Sequence, residues 1–265
     1  MDERHTNREL YFKEQGTTID KYVLPFIEDV MKIDKNTSIL EIGCGEGGNL
    51  LPFVKRGCSN IVGIDMSEGK IANAKKYFEK QENYKNVTFI ADDIYNIDPI
   101  ELGQFDIILT RDVLEHIHNQ EKFMHFVKAF MKPKGKFFLG FPPWHNPFGG
   151  HQQMCKNKFL SRLPYFHILP KFIYKGILKA FGESEGTIEA LIEIKDTRIT
   201  IERFERILRK EKFQKNKRVF YFINPNYEIK FGLKPRVAWS FVSSIPYLRN
   251  FWITTNYYVI SKSVK

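Results

Sequence analysis

Cysteine is scarce in this sequence. There are three in 265 residues (Cys44, Cys58 and Cys155), too few and too scattered for a disulfide framework or a zinc ribbon. A reducing, cytoplasmic compartment is the expectation that follows. There is no uninterrupted run of about 18 apolar residues, so no transmembrane helix is predicted. Residues 237–253 come nearest, and Pro246 and Arg249 break them. The opening MDERHTNREL has no apolar core, so no secretory signal is expected. Repeats, low-complexity tracts and flexible linkers are missing too. What remains is 43% hydrophobic and 27% charged, which excludes a disordered chain and supplies a real core for one large domain.

Acidic residues are also unevenly withheld. Residues 1–150 carry 19 basic and 22 acidic side chains, whereas residues 151–265 carry 22 basic and only 9 acidic. The whole formal charge of +10 therefore belongs to the second half, as do the two tryptophans Trp239 and Trp252, with Trp144 just before it. A basic, aromatic half suits an anionic substrate, a membrane surface or nucleic acid, and equally a solvated basic face.

Strand and helix signals alternate along the first part of the chain. Residues 17–32 space Ile19, Val23, Phe26, Ile27 and Val30 as an amphipathic helix, with Pro25 its weak point. Short apolar runs predict strands at 38–42, 60–64, 87–91, 105–110 and 136–141. Helices are predicted over 49–56, from the Ser67 cap to Phe78, and over 120–131, with a turn at Pro133-Lys134-Gly135. The strands are apolar throughout rather than alternating, as in a parallel sheet covered on both faces. After Phe141 the pattern breaks. Helical pieces near 168–181 and 184–194 lead to a good helix at 199–211, and strands are expected at 217–223 and 253–261.

The most informative stretch is Glu41-Ile-Gly43-Cys-Gly45-Glu-Gly47-Gly48. A glycine turn between strand and helix lets backbone approach a ligand and aims N–H groups at an anion. Gly43, Gly45 and Gly48 also satisfy GxGxxG. Asp65 ends the second strand, where a carboxylate can accept both hydroxyls of a ribose. Asp92 and Asp93 end the third strand beside the same crevice, within reach of an adenine amino group.

LEIGCGEGGNL, IVGIDMS, VTFIADDI, FDIILTRDVLEHI and MKPKGKFFLGF together resemble the class I S-adenosylmethionine-dependent methyltransferases, specifically their small-molecule group, over residues 38–141. The resemblance implies a doubly wound, seven-stranded, mostly parallel α/β sheet (a Rossmann-like methyltransferase fold) whose last strand is antiparallel. It carries a helical and loop insertion after the fifth strand. On this reading residues 1–265 are one domain. Its cofactor-binding core is 15–141, and substrate-covering insertions lie at 142–198 and 224–252. The cofactor would be S-adenosylmethionine, leaving as S-adenosylhomocysteine. Glu41, Gly43 and Gly45 would address its methionine end, Asp65 the ribose, and Asp93, aided by Asp92 and Ile94, the adenine, with Met66 also at the cofactor. Arg111 would lie near the sulfonium. An NAD(P)-binding oxidoreductase shares the glycine spacing, but the third acidic strand end and the LEHI segment fit it less well.

Methyl transfer needs alignment and exclusion of water, and a hydroxyl nucleophile often needs a base. Histidine suits that task, and the candidates are His116, His118, His145, His151 and His167. His116 follows the fourth strand, and His151 lies in the excursion FPPWHNPFGGH over the same edge. These two are the expected catalytic residues. Asp112-x-x-Glu115-His116 has another meaning if helical, since those positions share one face. With His151 they would form a divalent-cation site resembling the ExxEH signature of some metal-dependent O-methyltransferases. Asp stands at its first position, and LEH occurs in relatives that need no metal, so no metal ligand is assigned.

Phe141-Pro-Pro-Trp144 resembles the clamp of amino-group methyltransferases but follows the wrong strand, and is read as a turn. Residues 162–181 place Lys171, Lys175 and Lys179 on one helical face, with Phe172, Ile173, Ile177 and Leu178 opposite. That suits an interfacial helix or lid, and equally a helix packed on its own domain. The expected acceptor is a small or lipid-linked molecule, methylated at oxygen, with peripheral membrane contact allowed. An RNA methyltransferase using the basic half is the alternative, although no RNA-binding module accompanies it.

Overall fold

Apolar strands of this kind have to be covered on both faces, and the computed structural model, which describes residues 7–82 and 84–263, shows how. Eight strands form one sheet: β1 Ile39–Ile42, β2 Ile61–Asp65, β3 Val87–Ala91, β4 Phe105–Arg111, β5 Met131–Phe141, β6 Phe213–Ile223, β7 Arg236–Val237 and β8 Thr255–Lys262. Their order is β3-β2-β1-β4-β5-β8-β6-β7. The pairs among β1 to β5 are parallel, and β8 runs antiparallel to both β5 and β6. The seven expected strands are all present. The eighth, β7, is a two-residue edge strand inside the 224–252 segment, too short to have a periodicity of its own.

Side chains alternate between two cores. Leu40, Val62, Ile64 and Ile108 pack with Phe123 and Val127 of the helix Gln120–Val127 and with Phe204 and Leu208 of the helix Ile201–Lys210. Ile39, Ile61, Ile107 and Leu109 pack on the opposite face, against helices that include residues 12–27 and 71–78. The α-helices of five or more residues among the described ones are α1 Arg8–Thr18, α2 Leu24–Glu28, α3 Leu51–Lys55, α4 Glu68–Phe78, α5 Gln120–Val127, α6 Lys171–Ala180, α7 Glu185–Thr197, α8 Ile201–Lys210, α9 Asn226–Phe231 and α10 Ser240–Ser244.

The first helix starts well before residue 17, with Asn7 as its cap. Between α1 and α2 the helix widens into a π-turn at Ile19–Val23. The wider turn accommodates Pro25, which has no N–H to give to the regular ladder. Ser67 caps α4 as expected, its hydroxyl accepting from Lys70 N. The turn at Pro133–Gly135 is kept inside β5 as a jump in register, from Phe105 opposite Met131 to Ile107 opposite Lys136.

Residues after Phe141 build a small third core, with Cys155, Leu160, Phe166, Tyr174, Leu178, Ile188 and Leu191. The stripe expected on α6 is corrected here. Tyr174 and Leu178 face inward, whereas Phe172 is 77% exposed. The lysine ladder is partly neutralised, since Lys171 bonds Asp196 and Lys179 lies 2.9 Å from Glu185. Trp144 is buried by the turn after β5, its backbone N–H donating to Ile199 O at 2.8 Å, so FPPW is structural there. No helix among the described residues is long and apolar enough to cross a membrane.

Candidate active site at the carboxyl edge of the sheet

The glycine loop leaves β1 in a conformation closed to most residues. Gly43 has φ 76°, and a Cβ there would sit 2.4 Å from Val113 Cγ2. Gly48 is pressed against α1, where a Cβ would lie 2.5 Å from the Phe12 carbonyl oxygen. Gly45 is different. A Cβ there meets nothing within 4 Å, so the space beside its backbone is open. Glycine thus brings main chain, the turn after β4 and α1 together and leaves one clear face at the loop's tip.

Around that face lie the acids. Glu41 is wholly buried, with Oε1 accepting from Asn49 Nδ2 at 2.6 Å and Oε2 without a partner. Asn49 in turn accepts from Arg111 Nη1 at 2.9 Å, giving a buried relay Glu41–Asn49–Arg111. Burial raises the Glu41 carboxyl to about 8, against the pull of Asn49 and Arg111. Asp65 Oδ2 accepts from Gly45 N at 2.8 Å and Oδ1 from Ser67 N at 2.9 Å. Each oxygen keeps a further lone pair. Asp92 accepts from Asp93 N and from Asn96 Nδ2, and Asp93 caps the turn at Ile94–Asn96. Met66 is exposed, and Ile94 is nearly buried within the first core.

These residues fit an adenosyl sulfonium. The unpartnered buried oxygen of Glu41 would suit its ammonium end, the Asp65 carboxylate with free lone pairs its ribose, and the open Gly45 backbone the chain between them. Asn49 was not anticipated. Its signal was a lone polar side chain where the loop runs into an apolar helix. Tyr257 was also missed, because strand periodicity marks it only as core. Its hydroxyl is buried without a partner, and burial raises its pKa against the effect of Arg111.

The histidines separate. His118 is a surface residue 3.4 Å from Glu193. The buried His167 donates its Nε2–H to Trp144 O at 2.8 Å and is structural. His145 packs its ring against Trp144 and Phe251. His116 and His151 come together, ring centroids 5.2 Å apart, beyond Val113, the residue that closes over Gly43. Glu115 joins them. One ligand atom from each of Glu115, His116 and His151 lies within 4.8 Å of the others, the one such group among the described residues. Both Glu115 oxygens are buried and unpartnered, and burial followed by Asp112 raises its carboxyl well above the ordinary range. Burial and the neighbouring His116 push His151 down to about 3. His116 is the exposed member of the cluster; partial loss of hydration lowers it too, with Glu193 and Asp112 opposing.

Asp112 does not take the place that a helical reading gives it. Its φ is 55°, and the 3-10 turn covers only Leu114–His116, so its carboxylate turns to Arg111, 3.7 Å away. His151 is also left-handed, at φ 53°. Of the six non-glycine residues in this region among the described ones, Asp112 precedes the cluster and His151 belongs to it, and such backbone is costly enough to persist only where surrounding contacts enforce it.

Strand order, the antiparallel β8 between β5 and β6, and acids at three strand tips define a class I S-adenosylmethionine-dependent methyltransferase fold. Its solved relatives include magnesium protoporphyrin IX methyltransferase from Synechocystis PCC 6803 with bound S-adenosylhomocysteine. That structure has a TM-score of 0.54 and 15% identity over 94% of this chain and 84% of that one. Another is geranyl diphosphate C-methyltransferase from Streptomyces coelicolor A3(2), with a TM-score of 0.57 and 10% identity over 92% of this chain and 79% of that one. The family model described as a methyltransferase domain matches residues 33–182, and the chain belongs to that family. Among curated relatives, a ubiquinone biosynthesis O-methyltransferase of Rhodopseudomonas palustris (strain TIE-1) is 38% identical over 100 residues, 37% of this chain and 36% of that protein. One from Coxiella burnetii (strain Dugway 5J108-111) is 33% identical over 116 residues, 44% of this chain and 47% of that protein. The chain thus spans about half or less of the length of the relatives it matches.

Proposed function

We propose that this protein transfers the methyl group of S-adenosylmethionine to an oxygen atom of a small or lipid-linked acceptor. The observation that carries the reading is the cluster of Glu115, His116 and His151 beyond the Gly43 end of the glycine loop. The named activity of the O-methyltransferase relatives supports oxygen as the target. The donor, when bound, supplies an electrophilic methyl on a sulfonium that leaves as a neutral thioether.

The chain's own residues do the rest. Glu41, fixed by Asn49 and Arg111, holds the ammonium end. Asp65 accepts from the ribose, while Asp92 and Asp93 address the adenine. His116 takes the acceptor's hydroxyl proton, and His151, the weaker base of the two, orients the acceptor. Insertions 142–198 and 224–252 cover the acceptor and keep water out. The 15–141 core and these insertions work as one domain. The opening residues MDERHT lie outside the described ones.

A second reading is favoured by the two bare Glu115 oxygens. A carboxylate and two neutral imidazoles are a fitting donor set for a divalent cation. Glu115, His116 and His151 would hold it, and it would lower the pKa of a bound hydroxyl. Transfer of labelled methyl to a panel of hydroxylated aromatic and prenylated acceptors tests both. His116→Ala should lower turnover roughly 100-fold or more, the usual reach of a general base. Chelation should leave turnover unchanged on the first reading and abolish it on the second. Methylation of RNA but of no small acceptor would overturn both.

A further inference from the structure

The segment joining β6 to β8 turns its apolar side chains outward. Trp239, Phe241, Ile245, Tyr247, Leu248 and Trp252 are each between 44% and 73% exposed. Six large apolar side chains standing side by side are not the scattered exposure of an ordinary surface. Nor do they lie on a slack loop. Phe222, Trp239 and Phe241 stack nearly parallel, with successive ring centroids 6.3 and 5.8 Å apart and 14° between planes in both pairs. A groove of about 310 Å³ opens between Phe222, Val242 and Trp252.

Behind the exposed face, the buried Arg249 donates to Glu202 of α8 at 2.9 Å and to Ser243 O at 3.1 Å. Asn250 and the Tyr247 N–H bind the same carboxylate. The face is therefore held in place while its rings point at solvent.

Charge says what covers it. Glu228 is the last acid in the chain, so residues 229–265 offer only basic side chains, with Lys234 and Arg236 exposed beside the rings. A second copy of this chain would set those cations against one another with no acid to pair them. Nucleic acid would find stacking rings, but also Ile245, Leu248 and Val237, which offer it nothing. An anionic lipid surface matches all of it: aliphatic and phenyl groups for the acyl boundary, Trp and Tyr for the headgroup level, and Lys and Arg for the negative charge.

We propose that the face formed by residues 236–252 docks the protein on anionic membranes. β6 runs parallel to β5, so its end and this face lie at the sheet edge that carries the glycine loop. A docked protein therefore turns its candidate active site to the bilayer, a consequence that rests on the methyl-transfer reading. Docking itself does not rest on it.

The test needs neither donor nor acceptor, so its failure leaves the methyl-transfer reading standing. Wild-type protein should pellet with vesicles containing phosphatidylglycerol and far less with pure phosphatidylcholine. Emission from Trp239 and Trp252 should move to the blue as it does so, because Trp144 is already buried. The double variant Trp239→Ser/Phe241→Ser should bind roughly tenfold more weakly or worse at an unchanged thermal midpoint. Should that variant fold poorly, Lys234→Glu/Arg236→Glu should weaken binding and flatten its salt dependence. The proposal is overturned by no pelleting at any phosphatidylglycerol content, by variants that pellet like wild type, by a dimer that buries the tryptophans, or by a single-stranded RNA that displaces the vesicles.

Discussion

Residues 38–141 and the two later segments, 142–198 and 224–252, solve different problems with the same residue types. In the first region aromatic side chains go inward. Phe105, Phe123, Phe130, Phe137 and Phe138 are all buried in the cores. In the second, Phe159, Phe172, Trp239, Phe241 and Trp252 stand largely in water. The first region is acid-rich and places its carboxylates at strand tips. The second is basic and is held by buried carboxylates: its own Glu183 accepts from the Lys156 and Asn157 amides, and Glu202 of the neighbouring α8 ties down the 243–250 loop. A scaffold built to hold one ligand is thus joined to a surface shaped by what it meets outside.

Substitution can sharpen that contrast. Phe123→Ala empties part of the core shared by α5 and the sheet, and should cost about 3–5 kcal/mol in denaturant unfolding. If it costs no more than a surface change, the two-core description is wrong. Next in size, Glu202→Ala removes charge-assisted bonds to Arg249, Asn250 and Tyr247, and should destabilise by about 2 kcal/mol. Hydrogen exchange should show the loss in the 243–253 amides, with β1 amides unaffected.

Acid should do the same more gently. Burial works to raise the carboxyls of Glu202 and Glu205, but the bonds and cations around them prevail and hold both below their ordinary value of 4.5. A lowered folded-state pKa contributes stability that is complete above the unfolded value and disappears as pH falls through the folded one. The 243–253 amides should therefore lose protection as the pH drops below about 4.5, before β1 does, and regain it on neutralisation. Smallest of all, Lys171→Ala breaks an exposed pair with Asp196 and should change stability by about 0.5 kcal/mol or less. A larger loss would mean that the α6–α7 pairing depends on charge rather than on Tyr174, Leu178 and Leu191.

The contrast also explains what could be read in advance. Five parallel strands were legible because burial on both faces leaves unbroken apolar runs such as SILEI and NIVGI. The glycine loop and strand-tip acids were legible because few residue types meet their backbone and charge demands. His116 and His151 were legible as a pair through topology, since both follow strands that end at one edge. Three things were hidden. Asp112 leaves the helical face because of a left-handed backbone that no spacing rule signals. Asn49 meets Arg111, and Tyr257 lies opposite Gly140 across the sheet, through contacts distant in sequence. The outward aromatics of 236–252 resemble core residues in composition, and only the anchoring of Arg249 and Asn250 from behind decides which way they point.

Calorimetric titration with S-adenosylhomocysteine, with NAD as the comparison, bears most directly on the central claim that an adenosyl sulfonium lies across the tips of β1, β2 and β3. One site per chain is expected for S-adenosylhomocysteine and none for NAD. Asp65→Ala should weaken the binding about tenfold or more, as befits a lost charge-assisted bond to a ribose hydroxyl. Equal affinity in wild type and Asp65→Ala, or preferential uptake of NAD, would contradict the account.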